Sequence, residues 1–318
     1  MVAVAPWDEF IEGLASAPDA SWHTLVGELA EMTKLTYTAT QGSYFKPEDA
    51  NATTAVGWQR DLRLTADPPA GMRALYFYQP ATRRAVVAFR GTDLDRAGVS
   101  GQADGCADAM LWEDKPLSAL PAYCKSFSAD TLDYWSRARE YVLSVRKAHP
   151  TFQLLYTGHS LGAGLACLSA ALDGQGLVAN ASVQTSLMSP AAAFSSPAWT
   201  GAFHRRTGVN ASSLASHNRV YMLADEWDPV EGRAIQIAGS LVGQVCIYQT
   251  PPSPECTQCF RDHPLIMQRP SCGGCFVRRH IYRHYLHDLI GPTKARPICI
   301  DAADAKPPED SARAWQSP

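Results

Sequence analysis

The run Gly158-His159-Ser160-Leu161-Gly162 constrains this chain more than any other stretch. It follows the apolar residues Leu154, Leu155 and Tyr156 and leads into Gly162, Ala163, Gly164 and Ala166, which suit a closely packed helix. A strand that turns at a serine directly into a helix leaves no room for side chains at the flanking positions, so both glycines are demanded by the turn. The serine then stands on strained backbone at the positive end of a helix, where developing negative charge is favoured. A Gly-x-Ser-x-Gly string alone is weak, and a plain Gly-Ser turn is its bland reading. The strand before it and the helix after it make it a nucleophile elbow, with Ser160 as the candidate nucleophile.

A serine hydroxyl needs a base to take its proton, and the base needs an acid to hold its tautomer. In chains with such an elbow the acid and then the histidine follow the serine. The apolar run Arg219 to Leu223 leads into a loop with Asp225, Glu226 and Asp228, any of which, taken singly, also suits a solvated loop acid or a helix cap. His217 precedes that acid strand, which leaves His263, His280, His284 and His287 in the required order. His280, His284 and His287 share one helical face, but a single helix does not converge three imidazoles on one metal ion.

Around the elbow, apolar runs alternate with helical periods. Ala74 to Tyr78 and Arg84 to Phe89 read as strands, the second continuous enough to be buried on both faces of a parallel sheet. Ala129 to His149 reads as a helix, Phe152 to Tyr156 as a strand, Leu161 to Leu172 as a helix, Ser182 to Met188 and Arg219 to Leu223 as strands, and Arg278 to Leu289 as a late helix. Apolar spacing from Trp22 to Met32 is helical as well. The pattern predicts an α/β fold with a mostly parallel central sheet flanked by helices. A length of 318 residues permits two domains. Candidate site residues spread from 160 to 280 cannot be divided between two units, so one domain is expected over 1–291, with a flexible tail at 292–318.

Three blocks resemble the class 3 lipases, a branch of the α/β-hydrolase fold: Val86-Val-Ala-Phe-Arg-Gly-Thr-Asp93, Tyr156-Thr-Gly-His-Ser-Leu-Gly-Ala-Gly164, and the strand ending in Asp228-Pro-Val230. The resemblance implies Asp228 as the acid, from a D-x-V pattern, and His280 as the base, from H-x4-Y-L ending in Tyr285-Leu286. His284 and His287 then become helix-surface residues, and His159 a packed one. The resemblance also implies that Thr92 supplies a backbone N–H to an oxyanion hole, with its hydroxyl as a further candidate donor; elbow geometry assigns the second N–H to Leu161. The aperiodic stretch 94–127, with Met110, Leu111, Trp112, Leu117, Leu120 and Pro121, stands where that family carries a lid; a fixed loop whose apolar residues complete the core is the alternative, and Cys106 and Cys124 flank it as candidates for a clamp. The implied reaction is hydrolysis of carboxylic esters, lipid acyl esters foremost, with peripheral contact at a lipid interface and no cofactor for catalysis. A thioesterase or peptidase would use the same triad, and a lipase-like scaffold that only binds partners is the rival outside enzymes.

The cysteines depart from that family pattern. Within a cysteine-rich insertion at 246–277, Cys256-Thr-Gln-Cys259 precedes Cys272-Gly-Gly-Cys275. Paired C-x-x-C knuckles bring four thiolates to a tetrahedral centre, so structural zinc on Cys256, Cys259, Cys272 and Cys275 is expected, with disulfides the alternative. Twenty-eight Lys plus Arg against 31 Asp plus Glu give a formal charge of −3, which excludes a phosphate-backbone binder. No apolar run is long enough for a spanning helix. The first residues carry Asp8, Glu9 and Glu12 where a signal peptide needs an apolar core, so a cytoplasmic protein is expected, with secretion open. Three of the four asparagines (Asn51, Asn180, Asn210) stand in glycosylation sequons, a pattern that chance also produces in a chain rich in Ala and Ser.

Overall fold

The computed structural model describes residues 19–38, 57–93, 98–176, 188–211, 214, 219–226, 228, 230, 241–251, 253–254, 256–257, 259, 270–281, 284–291 and 293–302. They build an eight-stranded sheet whose spatial order follows the chain: β1 (Gln59–Arg60), β2 (Ala74–Gln79), β3 (Arg84–Phe89), β4 (Gln153–His159), β5 (Ala191–Phe194), β6 (Val220–Asp225), β7 (Gln244–Tyr248) and β8 (Ile298–Asp301). Strands β3 to β7 run parallel, while β1 and β2 at one edge and β8 at the other pair antiparallel. The helices are α1 (Asp19–Thr38), α2 (Val99–Leu111), α3 (Ala129–Leu132), α4 (Tyr134–Ala148), α5 (Leu161–Gly174), α6 (Thr200–Thr207) and α7 (Pro270–His280), followed by a π turn at Tyr285–Leu289.

The sheet is covered on both faces, which explains the unbroken apolar runs. Leu75, Phe77, Val86, Ala88 and Leu155 share one buried cluster with Trp22, Leu25 and Leu29 of α1 and Tyr285 of the π turn. Their neighbours Tyr76, Val87, Phe89, Leu154 and Tyr156 join Trp135, Val142 and Val145 of α4 and Leu165 and Leu168 of α5 on the other side. The period of two along each strand thus divides every apolar run between two cores.

Several expectations shift. The strand expected at Ser182 to Met188 is found instead at Ala191–Phe194, with 177–187 outside the described residues. The helix expected over Ala129 to His149 breaks at Asp133, whose carboxylate caps α4 by accepting from the Ser136 N–H. The helix expected over Arg278 to Leu289 instead starts earlier and ends at His280, the π turn following separately. The stretch 94–127 contains the regular helix α2, although it reads as aperiodic: its buried face carries Gly101, Ala103 and Ala107 with a buried acid, Asp104, so no apolar stripe marks it. Asp104 pairs with the buried Arg90 of the β3 end and accepts from the Tyr134 hydroxyl at 2.5 Å. The expected Cys106–Cys124 clamp is present as a disulfide.

Two boundaries are corrected. The tail expected to be flexible from 292 instead supplies β8, bonded to β7 by its ladder and by the Cys246–Cys299 disulfide. Residues 246–248 accordingly belong to the sheet and not to an insertion. The zinc expectation is overturned: Cys256 is joined to Cys275 and Cys259 is also disulfide-bonded, while the Cys272 side chain lies outside the described residues. An oxidised sulfur has no thiolate to offer a metal. Cys275 stands on α7 and not in a tight knuckle, which C-x-x-C spacing cannot reveal. Closing the 19-residue separation between Cys256 and Cys275 contributes about 3 kcal/mol by restricting the unfolded chain, and it anchors the middle of the helix that ends in His280.

Candidate active site

The elbow is built by contact between three elements. Ser160 has φ 56° and ψ −126°, and its N–H donates to Phe194 O at 2.9 Å, tying the turn to β5. A Cβ on Gly158 would stand 2.3 Å from Gly162 O, and one on Gly162 would stand 2.4 Å from Phe89 O, so neither position admits a side chain. A Cβ on Gly91 would lie 2.3 Å from both His159 O and the Tyr37 hydroxyl. The loop Arg90-Gly91-Thr92 is therefore pressed directly onto the elbow.

Three sequence-selected residues meet here. His280 Nε2 lies 2.8 Å from Ser160 Oγ, and its Nδ1 lies 3.0 and 3.2 Å from the two oxygens of Asp228. A carboxylate on the Nδ1 side places the proton there and leaves the Nε2 lone pair to accept from Ser160. Asp228 is buried and also receives the Val230 N–H at 2.8 Å and the Tyr285 hydroxyl at 2.6 Å. Burial alone would raise its pKa. The His280 charge and the hydrogen bonds from His280, Tyr285 and Ser195 override that and hold the carboxyl below the ordinary value. Such a chain can move a proton from a serine to an imidazole and stabilise the resulting cation.

The competing residues are placed elsewhere. Asp225 is buried, its carboxylate paired with Arg279 (3.0 Å) and His284 (3.1 Å) in place of His280, while its backbone N–H donates to the Tyr285 hydroxyl that serves Asp228. Glu226 donates its backbone N–H to Tyr248 O, continuing the sheet edge. His284, expected on the helix surface, is instead buried between Asp225 and Asp288, whose hydrogen bonds raise its pKa against the lowering effect of burial. His217, His263 and the His287 side chain lie outside the described residues.

His159 is packed, as expected, and also bonded. Its Nε2 lies 2.6 Å from His280 O and its Nδ1 2.8 Å from the Tyr37 hydroxyl. Burial, and then the neighbouring His280, lower its pKa to about 3, so the ring is neutral, donating from Nε2 and accepting at Nδ1. The backbone of His280 is thus held by His159, and α1 reaches the site through Tyr37, a residue no sequence signal had marked.

Leu161 directly follows Ser160, and Thr92 follows Gly91, which packs on the elbow. Leu161 opens α5, where first-turn N–H groups lack helical acceptors. The Thr92 hydroxyl donates to Asp108 at 2.7 Å, and Trp112 Nε1 donates to the other oxygen of Asp108 at 2.9 Å. Burial nevertheless pushes the Asp108 pKa up from 3.8 to about 7. The folded chain therefore keeps a proton that the unfolded chain releases, and this group's contribution to stability falls as pH rises from about 4 to 7. Asp108→Asn removes that dependence. Its melting temperature relative to wild type should rise by at least about 2 °C between pH 5 and pH 8, and calorimetry showing a constant difference would contradict this.

Residues 86–210 match the family profile described as Lipase (class 3). That stretch contains Thr92, Ser160 and Leu161, with Asp228 and His280 beyond it. The chain is similar in structure to a lipase from Rhizopus microsporus var. chinensis, at 17% identity over 74% of this chain and 77% of that one, with TM-score 0.42. It is similar to lipase II from Rhizopus niveus at 16% identity, 74% and 83% coverage and TM-score 0.44, and to the Lip2 lipase from Yarrowia lipolytica at 14%, 72%, 79% and 0.43. No curated protein sequence matches it. The family match and the site it adjoins define a carboxylic ester hydrolase. Among the described residues, no helix is long and apolar enough to cross a membrane.

Proposed function

We propose that this chain hydrolyses lipid acyl esters as a class 3 lipase, through an acyl intermediate on Ser160. The observation that carries the reading is the unbroken hydrogen-bond chain from Asp228 through His280 to Ser160. Ser160 Oγ attacks the ester carbonyl as His280 takes its proton, and the Thr92 and Leu161 N–H groups receive the oxyanion. His280 returns the proton to the departing alcohol; water, activated by the same imidazole, then releases the acid. Asp228 keeps the proton on Nδ1 and stabilises the imidazolium. On the segment 94–127, Leu111, Trp112 and Leu120 are buried and Val99 and Tyr123 exposed, so contact with lipid in this arrangement falls to the exposed pair. The disulfides favour a working place in an oxidising compartment over the cytosol expected from the first residues.

A series of p-nitrophenyl esters of increasing acyl length, with and without emulsion, tests the reading. Hydrolysis that rises once the ester forms an interface is expected. Absence of turnover at every length would favour the scaffold reading, and faster turnover of the matching acyl thioesters, assayed alongside, would favour a thioesterase.

A further inference from the structure

We propose that Ser195 is a positioning residue for His280: its hydroxyl accepts the imidazole Nδ1–H alongside Asp228 and holds the ring for proton exchange at Nε2. The inference deepens the proposed hydrolase reading and rests on it. Ser195 Oγ lies 2.9 Å from His280 Nδ1, as close as either oxygen of Asp228. One Nδ1–H is shared between the two acceptors, and the Ser195 hydroxyl proton is left to turn toward the Asp228 carboxylate, against which it lies. An imidazole held by a single acceptor can swing about that bond. Two acceptors, one just after β5 and one beyond the end of β6, fix the ring plane as well as the tautomer.

The backbone supports the assignment. Ser195 directly follows β5, its N–H donating to Leu223 O of β6 at 2.8 Å, and it is completely buried. Its φ is 54°, a left-handed conformation that glycine adopts without strain and serine does not. The described non-glycine residues with positive φ are Arg83, Asp114, Ser160 and Ser195. Arg83 and Asp114 are exposed, whereas the two serines both touch His280. Strained backbone at a buried site points to a side chain needed there.

Steady-state kinetics of Ser195→Ala and Ser195→Gly test this. Loss of one neutral hydrogen bond should lower kcat about threefold to tenfold in both variants, with KM unchanged and fluorophosphonate labelling slowed by the same factor. Ser195→Gly should melt above Ser195→Ala, because it relieves the backbone while losing the same hydroxyl. In a His280→Ala background, Ser195→Ala should have no further effect on the residual rate. Wild-type kcat in both variants would overturn the proposal. So would an undiminished loss in the His280→Ala background, which would mean that Ser195 only shapes the strand end. Failure of the hydrolase reading has a different mark, wild-type turnover in Ser160→Ala, and would overturn both.

Discussion

Ser160→Ala should reduce ester turnover by about 10⁴-fold or more and abolish labelling by a fluorophosphonate, with the melting temperature little changed. In the proposed mechanism the serine oxygen bonds to the acyl group, so its loss could not be made good by oxyanion donors. His280→Ala should cost a similar factor, because Ser160 Oγ has His280 Nε2 at 2.8 Å as its base. The double variant should be no worse than either single one, since residues that act as a unit are not additive. Retained labelling in Ser160→Ala, or a double variant far slower than both singles, would contradict the arrangement.

Two carboxylates three residues apart should respond in opposite ways. Asp228→Asn should lower kcat by about 10⁴-fold in a chain that still folds, because an amide NH₂ facing Nδ1 reverses the tautomer and puts a proton where Ser160 needs a lone pair. Asp225→Asn should leave kcat within a few-fold but remove the carboxylate that Arg279 and His284 share in the interior. Breaking such a buried pair costs about 3 to 5 kcal/mol, a fall in melting temperature of about 6 °C or more. Kinetics and calorimetry on the two variants separate these roles. Equal kcat losses with equal melting temperatures would refute the division.

The contrast between these two acids also marks how far the sequence could be read. The elbow was legible because steric necessity writes itself into residue types: only glycine fits at 158 and 162, whatever the rest of the chain does. Both sheet faces were legible for a similar reason, since β2, β3 and β4 have no exposed side from which polar residues could enter the pattern. Asp225, Glu226 and Asp228, by contrast, have the same chemistry in one loop, and His280 and His284 share a helical spacing. Family resemblance separated them, and the hydrogen bonds give the physical difference. Partners brought together by tertiary packing left no trace: Tyr37 on His159, Ser195 on His280, Thr92 on Asp108. Helix α2 was hidden because its buried face uses small residues and an ion pair in place of large apolar side chains. Cysteine spacing indicated that the sulfurs act together but not whether they bind metal or one another.

The 120 residues between Ser160 and His280 have a meaning for the chain while it is being made. Synthesis proceeds from the N-terminus, and domains fold as their residues emerge. The serine is synthesised well before the base, and the acid strand β6 comes between them. A ribosome-bound fragment ending anywhere before α7 carries a nucleophile with nothing to deprotonate it. In the proposed mechanism, ester cleavage is thus withheld until α7 has been translated, so products truncated before it should be silent toward the esters around them.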